Sequence, residues 1–70
     1  MDWDQIGAKW QHFKGSMKQQ WGELTDDDLD YVAGTRDRLV GRLQEKYGVT
    51  KQEAERQADR WFATQKNPAA

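Results

Sequence analysis

Few residues of this chain have both the type and the company to do chemistry. His12 is the single histidine and there is no cysteine, so the usual nitrogen and sulfur ligands of a zinc site cannot be assembled. Ser16 has no histidine at a spacing that suggests a nucleophile and its base. The acidic run Asp26-Asp27-Asp28 offers too few convergent ligands for a metal site. A positive helix terminus accounts for three carboxylates more simply. Lys9, Lys14 and Lys18 step along one segment and Arg36, Arg38 and Arg42 along another, as two patches for phosphates or anionic lipid heads would. The chain carries 11 basic and 12 acidic residues, however, and that near-neutral balance favours ordinary solvated helix faces over polyanion binding. No glycine-rich phosphate loop of the Walker or Rossmann kind is present. Catalytic residues, none; cofactor-binding residues, none; metal ligands, none: the residues read as a non-enzyme that takes no cofactor.

The chain that must position these groups has 70 residues, enough for one small domain with a modest core. Residues 1–65 are expected to form it and 66–70, which contain Pro68, to fray as a tail. A mean hydropathy of −1.17 leans toward disorder, while four tryptophans lean toward a packed core. The first ten residues lack the basic start and apolar run of a secretory signal. No segment approaches the ~20 apolar residues that span a bilayer. The expectation is a cytoplasmic monomer with a cooperative but marginal fold.

Trp3, Ile6, Trp10, Phe13, Met17, Trp21 and Leu24 recur at intervals of three or four, one stripe of a single first helix. Asp4 suits its cap or first turn, and Gly22 suits its stop. Thr25 and Asp28 fit a capping box for a second helix that Gly34 ends. Thr35 caps a third, about Arg36 to Lys46, with Leu39, Val40, Leu43 and Tyr47 on the buried side and Gly48 as its stop. Thr50 and Glu53 form a second capping box before a fourth helix, buried through Ala54, Ala58, Trp61 and Phe62. His12 lies off the stripe and should face solvent. Trp3 and Trp61 lie near element ends, where an exposed ring would be a partner contact, although so small a domain needs its aromatics in the core.

The chain also resembles itself when shifted by about 26 residues. Gly15, Met17, Trp21 and Gly22 match Gly41, Leu43, Tyr47 and Gly48. After a one-residue deletion, Thr25, Asp28 and Leu29 match Thr50, Glu53 and Ala54. Each copy reads as a helix, a glycine stop, a threonine cap and a second helix, so the expected fold class is all-α: a bundle of about four helices built as two crossed αα-hairpins, 4–33 and 35–64, related by duplication. Gly15 and Gly41 recur inside helices, off the apolar stripes, where glycine costs about 1 kcal/mol relative to alanine. Their recurrence suggests a close helix approach, a bend or a surface kept thin for a partner.

Two runs, "KGSMKQQWGELTDDDLD" and "GTRDRLVGRLQEKYGVTKQEAE", resemble the CsbD-like family of small bacterial stress proteins, from Ala8 to about Trp61. "WGELTDDDLD" and "LVGRLQEKYG" carry most of the specificity. The resemblance implies crossed helical hairpins, a cytoplasmic location, induction in general stress, no enzymatic activity and no cofactor. It supplies no functional residue to carry over. Three functions compete: an interaction module with an unknown protein partner, a hydrophilic protective protein acting through bulk properties, and a weak non-specific nucleic-acid binder.

Overall fold

The computed structural model describes residues 2–66. They form five helices: α1 (Trp3–Ala8), α2 (Trp10–Gln20), α3 (Asp26–Val32), α4 (Arg36–Tyr47) and α5 (Lys51–Lys66). Among the described residues there is no strand, so the all-α expectation holds. α5 includes Lys66, the first residue of the expected tail, and the remainder of that tail, 67–70, lies outside the described residues.

The count of five, not four, comes from a break in the first helix at Lys9 (φ −116°, ψ 37°). The apolar stripe runs through this point without interruption, so tertiary packing causes the break. The Trp3 ring lies 5.8 Å from Trp61, and the Trp21 ring lies 6.2 Å from the same indole. In one unbroken helix the α-carbons of Trp3 and Trp21 would stand about 27 Å apart, too far for both rings to meet one partner. Folding α1 back brings Trp3 onto Trp61 and stacks it on Phe62 at 4.9 Å. It also places Gly7 against Gly34. A Cβ on Gly34 would stand 2.5 Å from Gly7 Cα, so the two backbones meet where position 34 admits only glycine.

The caps follow local sequence closely. Asp2, not Asp4, caps α1, its Oδ1 accepting from the Gln5 amide at 3.1 Å, while Asp4 occupies the first turn. Thr25 and Asp28 make the full reciprocal box at the start of α3. Ala33 (φ 46°) and Gly34 (φ 81°) end α3 in the left-handed region, and Gly48 (φ 64°) ends α4. Gly22 follows the last residue of α2 by two positions but is not left-handed; the Trp21 amide closes that helix by donating to the Met17 carbonyl at 3.0 Å. Thr35 precedes α4 without a side-chain cap bond. At α5 the Thr50 hydroxyl accepts from the Glu53 amide at 3.1 Å, whereas the Glu53 carboxylate turns to Gln57.

One core joins all five helices. Ile6 of α1, Trp10, Phe13 and Met17 of α2, and Trp21 and Leu24 beyond it meet Leu29 and Val32 of α3. Leu39, Val40 and Leu43 of α4 and Ala54, Ala58 and Trp61 of α5 complete it. The most extensive helix packing is α4 against α5, followed by α3 against α4; the two fully buried alanines of α5 leave room for a close approach. Tyr47, expected in this core, is instead exposed. Its hydroxyl reaches the chain surface and accepts from the Glu23 amide at 3.0 Å, a polar tip finding its partner at the rim. Ion pairs Lys18–Asp26 (3.0 Å) and Lys14–Asp30 (3.3 Å) step in opposite directions along α2 and α3, which therefore run antiparallel.

Candidate functional site

The concave feature with the most varied chemistry lies between the end of α2 and the outer side of α5. It is a cleft of about 460 Å³ lined by Gln20, Trp21, Tyr47, Glu53, Gln57, Arg60, Trp61 and Thr64. Glu53, Gln57, Arg60 and Thr64 recur at helical intervals of three and four, so one face of α5 presents them together. That face flanks the buried stripe Ala54, Ala58 and Trp61, and core packing fixes its rotation.

The floor is two indoles held by hydrogen bonds. Trp21 Nε1 donates to Gln57 Oε1 at 3.0 Å, and Gln57 Nε2 donates to Glu53 Oε2 at 3.1 Å. Trp61 Nε1 donates to Ser16 Oγ at 3.2 Å. These bonds fix both rings and explain why a buried tryptophan pair carries polar neighbours. At the mouth, Arg60 is exposed and forms no ion pair among the described residues. Such a cleft can bind a group with an apolar flat part and an acceptor. It offers no paired nucleophile and base, and no pair of free carboxylates.

The residues singled out by type are scattered and internally engaged. His12 is exposed and lies edge-on to Phe13 at 5.0 Å. Ser16 serves Trp61. Lys9 is exposed and forms no ion pair among the described residues, but the rest of the two basic patches dissolves into ion pairs and stacking. Lys14 and Lys18 meet α3, and Arg36 meets Asp59 through Nε at 2.9 Å and Nη2 at 3.1 Å. Arg38 Nη1 donates to the Tyr31 carbonyl at 3.0 Å, and the Arg42 guanidinium lies 4.2 Å from the centre of the Tyr31 ring. Trp61 is core, and Trp3 is half-buried against it.

Asp28 is the one buried charged residue in the described chain. Its Oδ2 accepts from the Thr25 amide at 2.9 Å and the Thr25 hydroxyl at 3.1 Å, and lies 3.2 Å from Lys46 Nζ. Its Oδ1 is 3.6 Å from Arg42 Nε, which has no hydrogen-bond acceptor. Burial pushes the Asp28 carboxyl up, but Thr25 and the Lys46 ammonium outweigh it and hold the group below the usual carboxylate range. Hydrogen bonds from Arg36 likewise hold Asp59 down, and Asp59 raises Arg36 in return. Hydrogen bonding to Lys18 lowers Asp26. These carboxylates are ionised and structurally committed. No group of three or more metal-ligating side chains converges among the described residues.

Gln57, Arg60 and Thr64 were not singled out from the sequence. The available signal was their helical spacing beside the Ala54–Trp61 stripe, but polar residues flank the buried stripe of every amphipathic helix.

Comparison with known proteins supplies the family. The CsbD-like family profile matches residues 4–56. UPF0337 protein YjbJ of Escherichia coli O6:H1 is 51% identical over 61 residues, covering 87% of this chain and 88% of its own. A UPF0337 protein of Rhodopseudomonas palustris is 50% identical over 66 residues, covering 94% of this chain and 100% of its own. With the profile spanning most of the five-helix core and half the aligned positions shared with relatives of similar length, the chain belongs to the CsbD-like family.

Proposed function

We propose that this protein is a non-enzymatic interaction module of the bacterial stress response, acting in the cytoplasm and engaging a protein partner through the α2–α5 cleft. The observation that carries this reading is Arg60. It stands at the mouth of a cleft floored by Trp21 and Trp61, while Arg36, Arg38, Arg42 and Arg56 are engaged with acids, a carbonyl or a ring inside the chain. A partner segment that brings a carboxylate to Arg60 and a flat apolar side chain to the exposed Tyr47 ring of the cleft matches these groups. The repeated sequence pattern supports a duplicated pair of crossed hairpins as the origin of this arrangement.

A photo-cross-linking residue placed at position 20, on the cleft wall with Arg60 kept, should trap one stoichiometric protein from stressed cells, and the same residue at position 12, outside the cleft, should not. Equal labelling from both positions, none from position 20, or labelling at position 20 that survives Arg60→Ala overturns the reading. A protective role through bulk properties draws support from the mean hydropathy of −1.17. It would be favoured if this chain, and not a neutral control protein, preserves unrelated enzymes through drying. Nucleic-acid binding loses support from the pairing of the lysines and arginines, and binding that is absent even at low salt removes it.

A further inference from the structure

The break between α1 and α2 conflicts with the pattern that surrounds it. Trp3, Ile6, Trp10, Phe13 and Met17 keep helical spacing through Lys9, and neither proline nor glycine stands at the break itself. Lys9 makes no side-chain cap bond to α2. Among the described residues, neither the Trp10 nor the Gln11 amide bonds back across the break to Ile6 or Gly7. A continuous helix would give both amides those acceptors. The chain forgoes them because α1 has to fold back to seat Trp3 on Trp61 and Phe62, Ile6 in the core and Gly7 on Gly34.

We propose that α1 exchanges between two copies of this chain: Lys9 becomes helical, α1 and α2 merge into one helix from Trp3 to Gln20, and each α1 takes the seat on the partner copy that it occupies here on its own. A hinge of one residue favours this exchange, because a connection too short to do more than fold α1 back can straighten when the element it holds is passed to a neighbour. Opening alone would expose Ile6, Trp61 and Phe62. In the exchanged pair every contact of α1 is remade in trans, including the Gly7–Gly34 approach, and the helical bonds at Trp10 and Gln11 are added. The occupant is therefore specified by the seat itself, which already fits this chain's own residues 3–8. The exchange shares Trp61 with the cleft but uses neither Arg60 nor Gln57.

The test is the full chain incubated at millimolar concentration and resolved by size exclusion with light scattering. A dimer should appear that returns slowly to monomer on dilution. In a dimer made from isotopically labelled and unlabelled chains, filtered nuclear Overhauser contacts should connect Trp3 of one copy with Phe62 of the other. Inserting Gly-Gly-Ser after Lys9 lengthens the hinge and blocks the continuous helix, and should abolish the dimer while the helical circular dichroism of the monomer persists. Lys9→Gly, which disfavours the straight helix in both copies, should lower the dimerisation constant by about tenfold or more. A chain that stays monomeric at this concentration overturns the proposal. So does a dimer without the Trp3–Phe62 contact between copies, or one indifferent to the insertion.

Discussion

Residues 13–33 and 39–58 carry the same sequence pattern, yet matched positions differ in their surroundings. Trp21 is a buried indole bonded to Gln57, while its counterpart Tyr47 is exposed and bonded to the Glu23 backbone. Gly48 is left-handed and Gly22 is not. Asp28 is buried beneath Arg42 and Lys46, while its counterpart Glu53 lines an open cleft. Gly15 and Gly41 do agree, but a Cβ on either would meet nothing within 4 Å. Where glycine is sterically required, at Gly34 against Gly7, the pattern has no matching pair. A repeated residue therefore marks shared descent or shared local structure, whereas packing constraints are set by what each copy touches.

The largest effect expected from this contrast is at Gly34. Gly34→Ala forces alanine into φ 81° and drives its Cβ to 2.5 Å from Gly7 Cα. It should cost about 3 kcal/mol, through left-handed strain and backbone overpacking together, and lower Tm by about 15 °C. An unchanged melt would mean that α1 does not sit against the α3–α4 corner.

The two expected capping boxes, one complete and one half-made, sharpen the comparison next. Asp28→Ala removes the cap on Thr25 and the carboxylate between Arg42 and Lys46, and should cost about 2 kcal/mol in urea denaturation. Glu53→Ala removes side-chain contacts at an open surface and should cost about 0.5 kcal/mol or less. The pH dependence has a definite sign. A carboxyl held below its ordinary value of 3.8 in the fold, as Asp28 is, stabilises fully above that value. The contribution is lost as pH falls through the folded value. Stability of the parent chain should therefore fall in acid below the ordinary carboxylate range, and Asp28→Ala should flatten that fall. Equal losses for both variants would erase the distinction between the two boxes.

The same residues show what could be read without the structure. The helix class, the Thr25–Asp28 box, the stop at Gly34 and most of the core are legible because each depends on neighbours within one or two turns. The break at Lys9 is not legible, since it is imposed by Trp61, far along the chain. The exposure of Tyr47 escaped for a similar reason, its hydroxyl partner being the backbone of Glu23. The cleft is hardest of all. Trp21 and Gln57 stand 36 positions apart, and nothing in either local segment distinguishes Gln57 from the other polar residues of α5.

A smaller effect, with opposite sign, is expected at the repeated glycines. Both lie within helices with open space beside them, so Gly15→Ala and Gly41→Ala should each add about 1 kcal/mol and raise Tm by about 5 °C. The close approach anticipated there from their recurrence is found instead between Gly7 and Gly34. A lowered Tm in either variant would restore a packing role to the repeated positions.

The smallest effect among the glycines belongs to Gly7, and it sharpens the contrast most. Gly7 and Gly34 share one contact, but the geometry is one-sided. A Cβ on Gly34 points into the Gly7 backbone, whereas a Cβ on Gly7 would meet only the Ala33 carbonyl oxygen, at an ordinary 3.4 Å. Gly7 is helical, so alanine also gains propensity there, partly offset by the contact with the carbonyl. Gly7→Ala should therefore change stability by no more than about 0.5 kcal/mol in chemical denaturation, the usual range for a substitution that meets no packing fault. If Gly7→Ala costs as much as Gly34→Ala, the helices approach more closely on both sides and the seat of α1 requires two glycines. If it is neutral, the requirement rests on Gly34 alone, where left-handed backbone and steric contact coincide.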